Sequence, residues 1–211
     1  MAENSCLARP MPDIPQPRKQ PRQDRSRHAV AAILEAAARI LAIDGYAAFN
    51  TNRVAELAGV GIGSLYQYFP NKQALLAALH RRHGEETLAA LDDALARSAG
   101  RSAREQLAAM VAAALDLNRR ELGLHRVLER EWPIYDEPPA SNPIDAALRA
   151  RVAGWLAAIG ADPARAERLL RMADSLVHGL LLDADPQAEA LEDAITDALA
   201  GYLALPARQH T

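Results

Sequence analysis

From Thr51 to Lys72 the chain reads TNRVAELAGVGIGSLYQYFPNK, and this stretch decides the fold. Val54, Leu57 and Ala58 recur at helical spacing, and Thr51 stands where an N-cap belongs. Gly59-Val60-Gly61 makes a tight turn. Ile62, Leu65 and Phe69 then mark a second short helix, which Pro70 ends. Val54, Leu57, Leu65 and Phe69 can hold the two helices together. Gly63 has no side chain, so the backbone of the second helix can approach another surface closely. Around it stand Thr51, Ser64, Tyr66, Tyr68 and Lys72. These are hydroxyl and ammonium donors with no carboxylate among them, a set suited to phosphate oxygens. The N-termini of two helices add backbone N–H donors and positive dipole ends.

Working outward, Val30, Ile33, Ala37, Ile40 and Leu41 fall on one face of a helix that begins near Arg27. Gly45 suits its C′ position. Asn71 caps a fourth, long helix bearing Leu75, Leu76, Leu79, Leu88, Leu91 and Leu95. Two short helices between two longer ones outline a helix-turn-helix domain over residues 27–72, joined by a connector helix over 72–98. The remainder, residues 73–211, is also helical. Ser102 and Glu105 make a capping box that opens a helix to about Arg120. Gly123 breaks it, and a short segment follows around Leu124–Trp132. Pro133, Pro138, Pro139 and Pro143 mark a loop, with Pro143 at N1 of the next helix. That helix carries Ile144, Leu148, Val152, Trp155 and Leu156 and closes at Gly160. Asp162-Pro163 and Asp185-Pro186 open the last two helices as N-cap followed by proline. The reading is an all-α chain of about nine helices.

Composition agrees. The 211 residues include 46 alanines against nine aromatics, which favours packed helices over β-sheets. Residues 1–75 carry nine basic and six acidic side chains, while residues 76–211 carry 15 and 21. A basic head on an acidic body points to an anionic partner for the head alone. The one cysteine, Cys6, excludes an internal disulfide and a cysteine-based zinc site. No apolar run is long enough to span a membrane, and no apolar core follows the basic N-terminal residues, so a cytoplasmic address is expected. Residues 1–26, rich in proline and arginine, read as a disordered leader or as a basic arm that touches DNA. Gly59, Gly61 and Gly63 do not make a dinucleotide loop: Ser64 stands where glycine is needed, and residues 52–58 read as a helix rather than a strand. His80 and His83, near Glu86, have the spacing of paired metal ligands, but no third ligand is placed. No nucleophile, base and acid fall into a catalytic order, so neither a catalytic residue nor a cofactor nor a metal is expected.

Arg27–Leu79 resembles the DNA-binding domain of the TetR family of bacterial transcriptional repressors. The resemblance rests on an Ile/Leu-Ala-Ala first helix, Gly45-Tyr46, Thr51, the Ala58-Gly59-Val60 turn, Gly63-Ser64-Leu65-Tyr66-Gln67-Tyr68-Phe69, and Lys72. It implies a recognition helix over Gly61–Tyr68 in the major groove of double-stranded DNA. Thr51, Tyr66, Tyr68 and Lys72 match positions that contact phosphates. Ile62, Gly63 and Ser64 match positions near base edges, and Asn52, Gly61 and Gln67 belong to the same DNA-facing set. Many members have serine at position 61. Glycine there keeps the cap geometry but loses the hydroxyl. Ile62, often polar in relatives, would meet a thymine methyl. Tyr46 reads as a packing residue.

The resemblance also implies a homodimer that reads an inverted-repeat operator and is released by a small molecule. Leu169, Leu170, Ala173, Leu176, Val177, Leu180 and Leu181 cover more than one face of the penultimate helix. Leu191, Ile195, Ala198, Leu199 and Tyr202 stripe the last helix. These residues either pack within one subunit or pair with their copies across a two-fold axis. The dimer set is Leu169, Ala173, Leu176, Leu180, Leu191, Ile195, Ala198, Leu199 and Tyr202. The ligand set is Met110, Leu117, His125, Leu128, Trp132, Tyr135, Trp155, Arg171 and His178, each of which could equally be core. Sparse aromatics in an apolar helical shell suit a hydrophobic or amphipathic effector. Glu129 and Glu131 could meet a cationic one. The rival reading is a non-sensing helical DNA-binding or adaptor protein that meets a protein partner through its C-terminal helices.

Overall fold

The computed structural model describes residues 24–120, 143–183 and 190–205. Among these residues there are eight α-helices and no strand. Two compact units divide them, one ending at Leu79 and the other beginning at His80.

In the first unit, α1 (Asp24–Ala48) buries Ile33, Ala36, Ala37, Ile40 and Leu41 along one stripe. Gly45 interrupts it with φ 73°, a left-handed backbone that costs glycine nothing. α2 (Thr51–Leu57) is capped by Asn50 rather than by Thr51: the Arg53 N–H donates to Asn50 Oδ1 at 3.0 Å. Asparagine caps as well as a hydroxyl residue, so the helix starts one position earlier than Thr51 alone suggests. Val54 and Ala55 face the core, whereas Leu57, expected there, is 47% exposed. The buried stripe of this short helix runs on the other side of its axis.

Gly59 at φ 66° closes α2, with the Val60 N–H donating to the Ala55 carbonyl at 3.0 Å. α3 (Ile62–Tyr68) starts from Gly61, whose extended backbone accepts the Leu65 N–H at 3.1 Å without a side-chain cap. α1 packs on α2 and α2 on α3. α4 (Lys72–Arg97) opens where Asn71 Oδ1 accepts the Ala74 N–H at 2.9 Å. Its first two turns, with Ala74, Leu75, Leu76 and Leu79 buried, belong to the first unit. The unit boundary therefore falls inside α4, later than the residue 72 expected from the motif.

The second unit holds the rest of α4, then α5 (Ala103–Arg120), α6 (Pro143–Ala158), a 3-10 turn (Pro163–Arg165), α7 (Ala166–Asp183) and α8 (Ala190–Leu203). The capping box forms: the Ser102 N–H donates to Glu105 Oε2 at 2.9 Å, and the Glu105 N–H to Ser102 Oγ at 3.3 Å. Gly160, at φ 76°, ends α6 with the Ala161 N–H on the Leu156 carbonyl at 2.8 Å. Asp162 Oδ1 then accepts the Ala164 N–H at 2.9 Å and starts the turn into α7. α8 closes the same way without glycine, Ala204 standing at φ 55°. α5 packs on α7 and α8, and α6 on α7. Leu115, Leu156 and Ile195 are fully buried in this core. Burial of such a side chain is worth roughly 1.5–3 kcal/mol. The segment around Leu124–Trp132, the Asp185-Pro186 cap and the N-terminal arm through residue 23 lie outside the described residues.

Candidate nucleic-acid interface and apolar cavity

α3 divides into two faces. Leu65, Tyr68 and Phe69 are buried, at the i, i+3, i+4 spacing of a core stripe. Gly61, Ile62, Gly63, Ser64, Tyr66 and Gln67 are exposed on the other. Ile62 and Tyr66 are 38% and 43% exposed. A Cβ built on Gly63 meets nothing within 4 Å, so the backbone there is open to close approach. Thr51 Oγ1 lies 3.0 Å from Tyr66 Oη. This hydrogen bond ties the first residue of α2 to α3 and orients both hydroxyls. Asn52 is exposed beside Thr51. Ser64 and Tyr66 thus share the exposed side of α3 with Gly63, and Thr51 joins them through Tyr66.

Two expected phosphate contacts sit differently. Tyr68 is 8% exposed, its ring set in register with Leu65 and Phe69, so the ring packs in the core. Lys72 is half-buried, with Nζ 4.1 Å above the centre of the Tyr46 ring. The ring face attracts the ammonium and holds it in place. Tyr46 itself packs near Phe49, ring centres 6.4 Å apart. Sequence reasoning missed Arg53, which pairs with Asp44 at 2.7 Å and joins α2 to the end of α1. Nothing local in the sequence couples residues nine apart across a turn.

The second unit carries a partly open apolar cavity of about 100 Å³. Met110 and Leu117 line it, as expected, and so do Leu169, Ala173 and Leu199, which were assigned to a dimer face. Thr87 supplies the one polar side chain among the described residues of the lining. Trp155 does not line it. It is 5% exposed in the core, and its Nε1–H donates to Gln106 Oε1 at 2.7 Å. Arg171 is exposed and pairs along α7 with Glu167 at 2.7 Å. His178 stands behind the lining, with Nε2 3.0 Å from Asn118 Oδ1 and Nδ1 3.2 Å from Asp174 Oδ1. His125, Leu128, Trp132 and Tyr135, with Glu129 and Glu131, lie outside the described residues.

The dimer set also splits. Leu169, Leu191, Ile195 and Leu199 are 6% exposed or less inside the chain's own core, which withdraws them from any partner surface. Ala198 is exposed, and Ala173, Leu176, Leu180 and Tyr202 are half-buried. His83 Nε2 approaches Thr87 Oγ1 at 3.3 Å. His80 holds a proton less readily than an ordinary histidine. Burial is the main cause and His83 adds to it, while Asp145 and Asp174 oppose it. Among the described residues no helix is long and apolar enough to cross a membrane.

Residues 33–79 match the family described as bacterial regulatory proteins, tetR family, and residues 102–203 match the tetracyclin repressor-like C-terminal domain. The chain belongs to the TetR family. Its helix-turn-helix is that of a TetR-family transcription regulator. A TetR-family transcriptional regulator from Streptomyces coelicolor is similar in structure, with TM-score 0.63 at 24% identity, covering 83% of this chain and 98% of that one. A fatty acid degradation regulator, FadR, from Bacillus halodurans shares the fold with TM-score 0.63 at 19% identity, covering 84% and 97%. The fatty acid metabolism regulator protein of Bacillus subtilis (strain 168) is 29% identical over 79 residues, 37% of this chain. The matched region spans 40% of that curated relative's length.

Proposed function

We propose that the chain acts as a homodimeric repressor that binds an inverted-repeat operator and leaves it when a small hydrophobic or amphipathic molecule occupies the second unit. The observation that carries this reading is the exposed face of α3: Gly63 open to close approach, with Ser64 and Tyr66 beside it and Thr51 braced against Tyr66. Thr51, Tyr66, Tyr68 and Lys72 donate to phosphates, and Asn52 belongs to the same DNA-facing set. Ile62, Gly63 and Ser64 meet base edges, Ile62 against a thymine methyl, and Gln67 lies on the same face. A single seven-residue helix reads too little sequence, which is why a two-fold dimer presenting two such helices fits. Of the expected dimer set, Ala173, Leu176, Leu180, Ala198 and Tyr202 keep surface with which to meet a partner. The apolar cavity favours a sensor over an adaptor without a ligand. Effector binding weakens DNA binding only through a difference in its affinity for the two states.

The test is selection of genomic fragments by the purified full-length protein, followed by sequencing. An inverted-repeat consensus is the expected result. Diffuse, salt-sensitive retention of all fragments would refute sequence-specific repression.

A further inference from the structure

The cavity of the second unit is walled by hydrocarbon. Sixteen described residues line it, and all but Thr87 are alanine, valine, leucine or methionine. They come from α4, α5, α6, α7 and α8. Small side chains set its width: Ala90 of α4, Ala113 and Ala114 of α5 and Ala173 of α7 stand where leucine would reach into the space. An apolar void left empty lowers stability, because the atoms around it lack neighbours.

The walls offer a ligand almost nothing to hydrogen-bond. No charged side chain is among the described lining residues. Thr87 has one hydroxyl proton, and Oγ1 donates it to the His83 carbonyl at 2.9 Å. His83 Nε2 stands 3.3 Å from the same oxygen. The hydroxyl is thus engaged within its own helix. The lining residues lie inside helices, so most of their backbone N–H and C=O groups bond along the helix axis. A polar group that leaves water for this cavity loses its hydrogen bonds and finds no replacement among these residues. A hydroxyl is penalised, and a charge is penalised far more.

We propose that the cavity takes a small uncharged hydrocarbon, aromatic or aliphatic, that carries no hydrogen-bonding group. This deepens, and rests on, the reading of the second unit as a ligand sensor: it narrows the effector from hydrophobic or amphipathic to hydrophobic alone. The ligand is small because the space is about 100 Å³, against roughly 150 Å³ for an apolar cavity that stays dry and binds benzene or xenon. The cavity is partly open, which gives a molecule of one ring a way in. Removal of its apolar surface from water and dispersion contacts with the leucine, valine and methionine side chains supply the attraction.

Calorimetry on the purified full-length protein without DNA tests this, with benzene, phenol and benzoate as probes that share one ring. Benzene is expected to bind, phenol at least about tenfold more weakly, and benzoate more weakly still. Ala173→Leu fills the space and should abolish benzene binding while the melting temperature holds or rises. Should that variant fail to fold, Ala113→Leu reads the same loss, and the phenol-to-benzene ratio of the parent needs no variant. In Thr87→Val, which turns the lining hydroxyl into a methyl, benzene should bind more tightly and phenol no more weakly. Phenol or benzoate binding as tight as benzene, a selective loss of phenol in Thr87→Val, benzene binding that survives in the folded leucine variant, or no binding of benzene would each overturn the proposal. An operator selected by a protein that ignores benzene removes this ligand class and leaves the repressor standing. Benzene binding without a selected operator does the reverse.

Discussion

Gly63 occupies the middle of the exposed face of α3, and a methyl added there touches no atom within 4 Å. Alanine is favoured over glycine in a helix by about 1 kcal/mol. Gly63→Ala should therefore keep or slightly raise the melting temperature, yet hold the helix away from the DNA backbone. The expected result is at least a tenfold weaker operator affinity by fluorescence anisotropy, with thermal unfolding unchanged. A variant that binds like the parent would show that close approach at this position is not required. The exposure of Gly63 was legible in the sequence because it stands off the apolar stripe of Leu65 and Phe69. The packing of the Tyr68 ring is equally visible there: it lies three residues after Leu65, on the buried stripe. In a helix of seven residues, position on the stripe decides more than side-chain chemistry does.

At the scale of elements, helix ends were the most legible features, because a cap is a local arrangement of neighbouring residues. Ser102 with Glu105, Asn71, Gly160 and Asp162 all act where their spacing places them. Ser102→Ala should cost about 1 kcal/mol of unfolding free energy, measured by urea denaturation. An unchanged midpoint would mean that the α5 N-terminus is satisfied by other groups. Asn50 and Thr51 show the limit of such reading: both are good caps, and helical phase does not choose between adjacent positions. α8 shows a second limit. Leu191, Ile195 and Leu199 form an apolar stripe in any reading, but periodicity does not say whose surface it covers. The fold answers that α5 and α7 of the same chain do.

Across the whole molecule, charge divides the sequence into a basic head and an acidic body, and contacts divide the described residues into two units. The boundary lies between Leu79 and His80 inside one continuous helix, where no glycine or proline marks it. His80, the first residue beyond it, makes stability depend on pH. Its proton affinity is below the ordinary value of 6.5 in the folded chain, so the unfolded chain binds more protons in that window. Its contribution is present above pH 6.5 and lost as pH falls through the lowered value, with a slope of at most about 1.4 kcal/mol per pH unit. His80→Gln should flatten the acid side of the stability curve relative to the parent, as read by urea denaturation between pH 7 and 5. A parallel pair of curves would assign the pH dependence to other groups. One further consequence follows from the Lys72 ammonium resting on the Tyr46 ring. The chain has 22 arginines but only two lysines, Lys19 and Lys72. An acylating reagent thus finds very few side-chain amines, and one of them sits at the base of the helix-turn-helix. Acetylation at that single nitrogen would erase the charge without altering any other described residue, and bound DNA should shield it. Mass spectrometry of the acylated chain, with and without operator, would then follow occupancy at one atom.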